Sequence, residues 1–308
     1  YFTPMIPKLQ DEVQNPVHII PENSMKTWVR GGLPTRQMQR NADYMRRCQE
    51  KTHELLDAFA ETLNTLQGKY YCGVDLGTNT QNIEVIAKQS PYVLGIDQNG
   101  SRIDLSYFTA WGCFRGIEAT AKWRWGSKRL DNKTILIQGL GHVGRKLAEH
   151  LFWAGAKLIV CDINETAVQS AIRDLGAKAV TLDRAVEHPC DIWSPCATGG
   201  IVNANNASKF QCEVIAGGAN NQLIDHQAGK QLFANNILYA PDFIINAGGI
   251  IAAAHHQQHK NKSNPETIRQ ETNKIYQRLI NLFKKSKKEN LSTNMIAEKE
   301  AEAMIKTP

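Results

Sequence analysis

The stretch "TILIQGLGHVGRKLAEHLFWAGAKLIVCD", Thr134 to Asp162, decides the fold. A short β-branched apolar run ends in glycines, apolar residues then recur at helical spacing, and a second apolar run ends at an acid. The pattern predicts strand, turn, helix and strand. "NETAVQSAIRDLG" follows and predicts a second helix, which begins behind Asn164 and ends at Gly176.

The same alternation continues along the chain. Further strands are predicted at "AKAVT", "CDIWSP", "EVIAGG" and "ILYAPDFIIN". Alternating strands and helices with short links favour the α/β class and a doubly wound parallel sheet from about Thr134 to Asn246. Ahead of it, "KTHELLDAFAETLNTLQG" predicts a helix that ends at Gly68, and helices with polar faces are predicted after residue 260.

Composition points to an ordinary globular protein. The 308 residues include 42% apolar and 21% charged ones, so two domains are expected and disorder is not. The net charge of +6 is modest, and the cluster in "KKSKKEN" is typical of a solvated helix end. We therefore expect no nucleic-acid partner.

Cysteine usage and apolar runs indicate the compartment. Seven cysteines show no CxxC pair and no zinc-ligand spacing, which favours free thiols in a reducing cytoplasm. No run approaches the roughly 18 apolar residues that span a bilayer, and the first residues lack the features of a signal peptide. We expect a cytoplasmic protein without a membrane partner. A first residue that is Tyr1 and not Met is compatible with trimming of the chain.

"GLGHVG" places Gly139, Gly141 and Gly144 in the G-x-G-x-x-G spacing. The first glycine permits a tight turn, the second lets the backbone approach a pyrophosphate, and the third lets helix and strand pack closely. The phosphates are then expected on the amide groups of the helix that begins near His142 and Val143. The spacing is that of a dinucleotide-binding turn.

Asp162 ends the next strand, 23 residues after Gly139. A carboxylate there can accept both ribose hydroxyls of an adenosine and repels a 2′-phosphate, which favours NAD over NADP as the cofactor. Arg145 and Lys146 are close enough in sequence to complicate the local field.

Several further strings occur in a fixed order. They are "DLGTN", "YFTAWG", "GLGHVG", "VCDIN", "SPCATGG", "AGGANNQL" and "YAPDFIINAGG". Together they resemble the glutamate, leucine, phenylalanine and valine dehydrogenases, with most similarity to the leucine and phenylalanine branch, over about 250 residues from Leu55 onward. The resemblance implies an NAD-dependent, reversible oxidative deamination of an apolar L-amino acid, branched-chain or aromatic, to a 2-keto acid and ammonia.

The resemblance also implies roles for single residues. Thr109 matches a threonine that contacts the nicotinamide carboxamide, Asp162 matches the ribose ligand, and Asn246 matches an asparagine close to nicotinamide and substrate. Two further turns are expected to lie along the cofactor: Cys196, Ala197 and Thr198, and then Ala219, Asn220 and Asn221. Each of these residues follows the carboxyl end of a predicted strand, where open α/β sheets bind ligands.

"GVDLGTN" resembles the family segment whose aspartate faces the cleft between the domains. Asp75 is therefore the candidate catalytic acid and base, which moves protons on and off the substrate nitrogen. The alternative is an ordinary turn aspartate whose carboxylate is capped by Thr78 or by neighbouring amides.

Two lysines that the family pairs with this aspartate are not found. In "VRGGLPTRQM" the expected position is Pro34, which can neither bind a carboxylate nor take a proton. Either the lysine-bearing segment is missing between about Met38 and Lys51, or the protein is an inactive NAD-binding relative. The remaining basic candidates, none of which receives a catalytic role, are Lys26, Arg30, Arg36, Lys51 and Lys69.

Small residues at the expected substrate pocket indicate its width. Gly73, Ile250 and Ala253 occupy positions that shape this pocket in the family, and the glycine and the alanine leave room for a side chain larger than leucine. His255 and His259 have the i, i+4 spacing of metal ligands, but an exposed helix face explains them as well, and no metal is expected.

The resemblance completes the predicted organisation. An apparently shortened N-terminal α/β domain for substrate binding and oligomerisation covers residues 1–108, and an NAD-binding Rossmann domain covers 109–254. C-terminal helices over 255–308 are expected to return across the cleft. The partners are then a small-molecule amino acid and further copies of the chain in a homo-oligomer.

Overall fold

The structure, a computed structural model, describes residues 52–74, 78–96, 102–259 and 264–306. Its contacts divide the chain into two compact units. We call residues 106–251 with 265–308 the sheet unit, and residues 1–105 with 252–264 the N-terminal unit. The domain boundaries expected at residues 108 and 254 stay predictions.

One six-stranded parallel sheet organises the sheet unit. Its strands are β1 Thr134–Gln138, β2 Lys157–Cys161, β3 Lys178–Ala179, β4 Ile192–Pro195, β5 Val214–Ile215 and β6 Leu238–Tyr239. The spatial order is β3-β2-β1-β4-β5-β6, and every neighbouring pair is parallel. This is the order of the doubly wound dinucleotide-binding fold, and it confirms the predicted α/β class.

Ten helices occur within the described residues. They are α1 His53–Thr65, α2 Thr80–Gln89, α3 Leu105–Trp125, α4 His142–Trp153, α5 Glu165–Leu175, α6 His226–Ala234, α7 Asp242–Ile245, α8 Gly248–Gln258, α9 Pro265–Glu289 and α10 Thr293–Lys306. The ends of α5 are as predicted: the Asn164 side chain accepts hydrogen bonds from the first turn, and Gly176 adopts a left-handed φ of 61°. None of the described helices is long and apolar enough to span a membrane.

Both faces of the sheet are covered. Successive side chains of a strand point to opposite faces, so β1 contributes to two cores. Ile135 and Ile137 belong to a core that also contains residues of α3, α4, α9 and α10. Leu136 belongs to a second core with Trp193 and Ile215. Burial on both faces explains why these strands read as continuous apolar runs.

In the N-terminal unit, α1 and α2 share a small core of apolar side chains that includes Leu63, Ile83 and Ile86. Cys72 and Val93 form an isolated parallel bridge in the same core. The α/β character predicted for this part of the chain depends partly on residues outside the described ranges.

The last predicted strand is wrong in its length. "ILYAPDFIIN" forms a strand only at Leu238–Tyr239, and Asp242–Ile245 is a helix. Pro241 precedes this helix, with the fixed φ that helix starts prefer. An apolar run alone cannot distinguish a buried strand from a buried helical turn.

Candidate functional site

Three loops meet at the carboxyl edge of the sheet. We call them the β1 loop (residues 139–141), the β4 loop (196–200) and the β5 loop (217–221). Backbone hydrogen bonds join each to the neighbouring strand: Gly139 N–H to Cys161 O at 2.8 Å, Cys196 N–H to Gln138 O at 2.7 Å, and Ala219 N–H to Pro195 O at 2.9 Å. The predicted cofactor residues of these turns are thus brought together.

The β1 loop has the form that the glycine spacing predicts. Gly139 has a φ of 100°, which residues with a side chain rarely adopt. A Cβ on Gly144 would overlap the Gly139 carbonyl oxygen. Around Gly141, by contrast, no atom lies within 4 Å of the position of a Cβ. No side chain caps the start of α4, where His142 is exposed. The turn is tightly packed at Gly144 and open at Gly141.

Asp162 follows β2 and faces the β1 loop. Its Oδ2 accepts the Leu140 N–H at 2.5 Å, and its Oδ1 accepts the Asn164 N–H at 2.7 Å. The guanidinium of Arg145 is bound elsewhere, to Glu149 at 2.9 Å and Asp174 at 3.0 Å. The half-buried carboxylate of Asp162 therefore fixes the turn and lies beside it.

The β4 loop packs on the β5 loop. A Cβ on Gly199 would overlap the carbonyl oxygen of Asn220, and Gly200 donates its N–H to Asn221 O at 2.7 Å. Ala197 and Thr198 are exposed on this loop. Burial raises the pKa of the Cys196 thiol, which keeps it in the neutral form.

The β5 loop touches the start of α4. A Cβ on Gly218 would lie 2.8 Å from Val143 Cγ1. Asn220 and Asn221 are exposed, while Gln222 is fully buried and donates to the carbonyls of Gly217 at 2.8 Å and Ala219 at 2.9 Å. The sequence analysis missed this role of Gln222, because no local pattern marks an amide that holds its own loop.

Asn246 lies at the end of α7, and its side chain binds the β5 loop. Its Nδ2 donates to Asn220 Oδ1 at 2.6 Å and to Gly218 O at 3.3 Å. Asp242, at the start of the same helix, accepts the Asn221 N–H at 2.5 Å. Asp242 is a second residue that the sequence analysis missed, although a Pro-Asp pair ahead of an apolar run is a helix-start signal.

Thr109 reaches the same region from α3. A Cβ on Gly248 would overlap the Phe108 carbonyl oxygen and lie 3.1 Å from the Thr109 nitrogen. Close contact between α3 and the start of α8 therefore places the half-buried Thr109 beside Gly248, two residues after Asn246.

The predicted substrate residues are divided between the two units and the part of the chain outside the described ranges. Asp75 lies outside the described residues. In the N-terminal unit, Gly73 contacts the Leu94 backbone and Ala253 is buried. Ile250 belongs to the sheet unit and is 66% exposed.

Other sequence candidates have plain surroundings. His255 and His259 stack at 4.1 Å between ring centroids, and the described residues contain no cluster of three metal-ligating side chains. Lys26, Arg30, Arg36 and Lys51 lie outside the described ranges. Lys69 is exposed. The cysteines of the described residues are free thiols.

The carboxyl edge suits a dinucleotide. Backbone amides at an uncapped helix start are donors for phosphate oxygens, and the open space over Gly141 admits them. The Asp162 carboxylate lies at the end of the adjacent strand, where a ribose is held in this fold.

Comparison with known proteins agrees with this geometry. The model of the glutamate/leucine/phenylalanine/valine dehydrogenase family matches residues 160–307. A leucine dehydrogenase of Thermoactinomyces intermedius is 35% identical over 257 residues, which are 83% of this chain and 69% of the relative. The chain belongs to the glutamate/leucine/phenylalanine/valine dehydrogenase family. As a member of this dehydrogenase family, the protein is an oxidoreductase.

Two further comparisons concern an L-tryptophan dehydrogenase. An L-tryptophan dehydrogenase of Nostoc punctiforme is 34% identical over 258 residues, or 83% of this chain and 72% of the relative. The crystal structure of L-tryptophan dehydrogenase from Nostoc punctiforme superposes with a TM-score of 0.67 at 33% identity, covering 82% of this chain and 72% of that one. The likeness extends from sequence to three-dimensional fold.

Proposed function

We propose that the protein is an NAD-dependent dehydrogenase that deaminates an apolar L-amino acid, branched-chain or aromatic, to its 2-keto acid and ammonia, reversibly. The observation that supports NAD as the cofactor is the geometry at the carboxyl edge of the sheet. There an open glycine turn, an uncapped helix start and the Asp162 carboxylate stand together. The roles of Thr109, Asn246 and the β4 and β5 loops in holding NAD belong to this proposal.

The negative charge of Asp162 favours NAD over NADP, because it repels a 2′-phosphate and can accept both ribose hydroxyls. Arg145, one of the two cations that follow the glycine turn, is neutralised by Glu149 and Asp174. It is therefore poorly placed to attract a phosphate.

The bound nicotinamide supplies the hydride acceptor for the substrate Cα. Hydride loss requires a neutral amino group, so Asp75 accepts a proton from the substrate ammonium. Water then adds to the substrate iminium carbon and loses its two protons to solvent as the carbonyl forms, while Asp75 returns its proton to the departing nitrogen, which leaves as ammonia. One water is consumed for each keto acid and ammonia formed.

The relatives support an apolar substrate, since those described above are named leucine and L-tryptophan dehydrogenases. Gly73 and Ala253 have small side chains, which favours a pocket wide enough for an aromatic ring. We propose these two residues and Ile250 as pocket residues. The relatives' names give no support to the inactive alternative.

The test measures NADH formation with leucine, valine, isoleucine, phenylalanine, tryptophan and glutamate, for the natural chain and for Asp75→Asn. We expect turnover with apolar amino acids and little with glutamate. Because a general acid and base contributes about 10²–10⁴-fold to a rate, D75N should lose at least about 10²-fold in kcat. Its NAD affinity should stay within about twofold of the natural chain's.

Three outcomes would contradict parts of the proposal. Preference for glutamate would refute the apolar pocket, and an unchanged kcat in D75N would refute the role of Asp75. NAD binding without turnover on any amino acid would instead favour the inactive relative. For the homo-oligomer, light scattering of the purified protein should give a multiple of the 34.4 kDa chain mass, and a monomer mass would contradict it.

A further inference from the structure

The two carboxylate oxygens of Asp242 accept hydrogen bonds from two different segments of the chain. Its Oδ2 accepts the Asn221 N–H at 2.5 Å, and its Oδ1 accepts the Tyr239 hydroxyl at 3.2 Å. The first of these bonds joins the start of α7 to the last residue of the β5 loop. A single side chain thus links two segments 21 residues apart.

Asn246 makes the matching contact one helical turn later. Asn246 N–H donates to Asp242 O at 2.9 Å, and the Asn246 side chain donates to Asn220 Oδ1. The two ends of α7 therefore hold two consecutive residues of the β5 loop. Asn221 has a φ of 51°, in the left-handed region that asparagine adopts more readily than most residues, and its N–H bond to Asp242 holds it there.

Asp242 is half-buried and lies in a cluster with Tyr239 and Thr293. Burial raises the pKa of the Asp242 carboxyl, and the Tyr239 phenol beside it is fully enclosed, with its own pKa raised by burial. The Tyr239 carbonyl in turn accepts the Thr293 hydroxyl at 2.7 Å. The Tyr239 side of the Asp242 carboxylate is thus buried, whereas the Asn221 N–H that it holds belongs to an exposed residue of the β5 loop.

We propose that Asp242 is a positioning residue, which holds the β5 loop in the conformation that receives the cofactor and thereby sets cofactor affinity. The inference rests on the proposed dinucleotide binding. It is a separate claim, because Asp242 acts through the Asn221 backbone. Gly218 of the same loop lies against Val143 at the start of α4, so displacement of the loop alters the wall of the phosphate site.

The experiment compares Asp242→Ala with the natural protein by NAD titration, followed through tryptophan fluorescence, and by steady-state kinetics. We expect the Kd and KM for NAD to rise roughly ten- to hundredfold, the loss typical of a charged hydrogen-bond partner. At saturating NAD, kcat should stay within about threefold. A structural defect alone would lower the active fraction, which appears in kcat and not in Kd.

Thr293→Val is the matched control. It removes a buried hydrogen bond of the same cluster, to the Tyr239 carbonyl, without touching the β5 loop. We expect a lower melting temperature and an unchanged Kd. If T293V weakens NAD as much as D242A does, general loosening explains the effect and the proposal is wrong.

Asp242→Asn is the second variant and decides the matter if D242A does not fold. Its neutral amide oxygen still accepts the Asn221 N–H, but more weakly than a carboxylate does. An increase in Kd of about two- to tenfold is expected, and a Kd equal to that of the natural protein overturns the proposal. If the natural protein itself binds no NAD, the proposed function fails, and the role of Asp242 in affinity fails with it.

Discussion

Two glycines of the β1 loop meet opposite surroundings, so alanine should affect them differently. In Gly144→Ala the new methyl overlaps the Gly139 carbonyl oxygen, and the backbone must move. We expect a loss of about 1–3 kcal/mol in the free energy of unfolding. In Gly141→Ala the methyl enters open space, at a φ of −69° that alanine adopts freely. The free energy should change by less than about 0.5 kcal/mol.

G141A, the variant that should keep its stability, is the one expected to lose affinity for NAD. In the proposed function a pyrophosphate approaches the space over Gly141, so G141A should raise the Kd for NAD at least about tenfold although the protein stays as stable as before. Urea denaturation and NAD titration of both variants provide the measurement. Unchanged NAD affinity in G141A would show that the phosphates lie elsewhere.

Single residues differ in how far the sequence predicts them. Gly139, Gly141 and Gly144 were identified from spacing alone, because the turn they form is local. Asp242 and Gln222 were missed, because their partners are backbone groups that only the folded chain brings near. A pattern of neighbouring residues cannot predict a contact between residues that are 21 positions apart, as Asn221 and Asp242 are.

At the scale of elements, α5 was predicted at both ends because each end has its own chemical signal, an Asn cap and a glycine with left-handed φ. The stretch after Leu238 was predicted as strand throughout because its apolar residues fit either structure. The turn of helix at Asp242–Ile245 matters for the site, since its two ends hold the β5 loop.

The junction of α3 with α4 contains a histidine among aromatic rings. His150 has ring-centroid distances of 5.7 Å to Tyr107, 5.3 Å to Trp111 and 5.7 Å to Phe114. Its Nε2 is buried and finds no hydrogen-bond partner among the described residues. Burial lowers the pKa of His150, Glu149 acts in the opposite direction, and the charge of Arg269 lowers the pKa further.

This lowered pKa predicts a pH dependence of stability. The unfolded chain binds a proton at His150 near pH 6.5, whereas the folded chain binds it only at lower pH. The contribution is therefore fully present above about pH 6.5 and is lost as the pH falls toward the folded-state pKa. We expect His150→Gln to lose less of its free energy of unfolding between pH 7 and pH 5 than the natural protein loses.

The matched control for this prediction is His142→Gln, which removes an exposed histidine from the start of the same helix. Urea denaturation at several pH values compares the three proteins. A steeper or equal decline in H150Q would mean that His150 takes up its proton in the folded state as readily as in the unfolded one.

At the scale of the whole molecule, the parallel sheet and the dinucleotide turn followed from local patterns, but the composition of the site did not. Thr109, Asn246 and the β5 loop come from segments spread over more than 130 residues. Their approach depends on close backbone contact at Gly248, which no spacing rule marks as special. Only the family resemblance predicts these residues from the sequence.

Cofactor choice should be visible in the thermal stability of the complete protein. A ligand at a concentration of 100 times its Kd stabilises the folded state by about 2.7 kcal/mol, which corresponds to a rise in melting temperature of several degrees for a unit of this size. NAD should produce this rise in the transition that unfolds the sheet unit. NADP at the same concentration should produce a much smaller rise, because the Asp162 carboxylate lies beside the β1 loop and Arg145 is engaged by Glu149 and Asp174.

Asp162→Asn retains an acceptor for the Leu140 N–H and removes the charge, so the melting temperatures with the two cofactors should differ less. Calorimetry of the two proteins with each cofactor gives the comparison, and a larger rise with NADP in the natural protein would reverse the cofactor assignment.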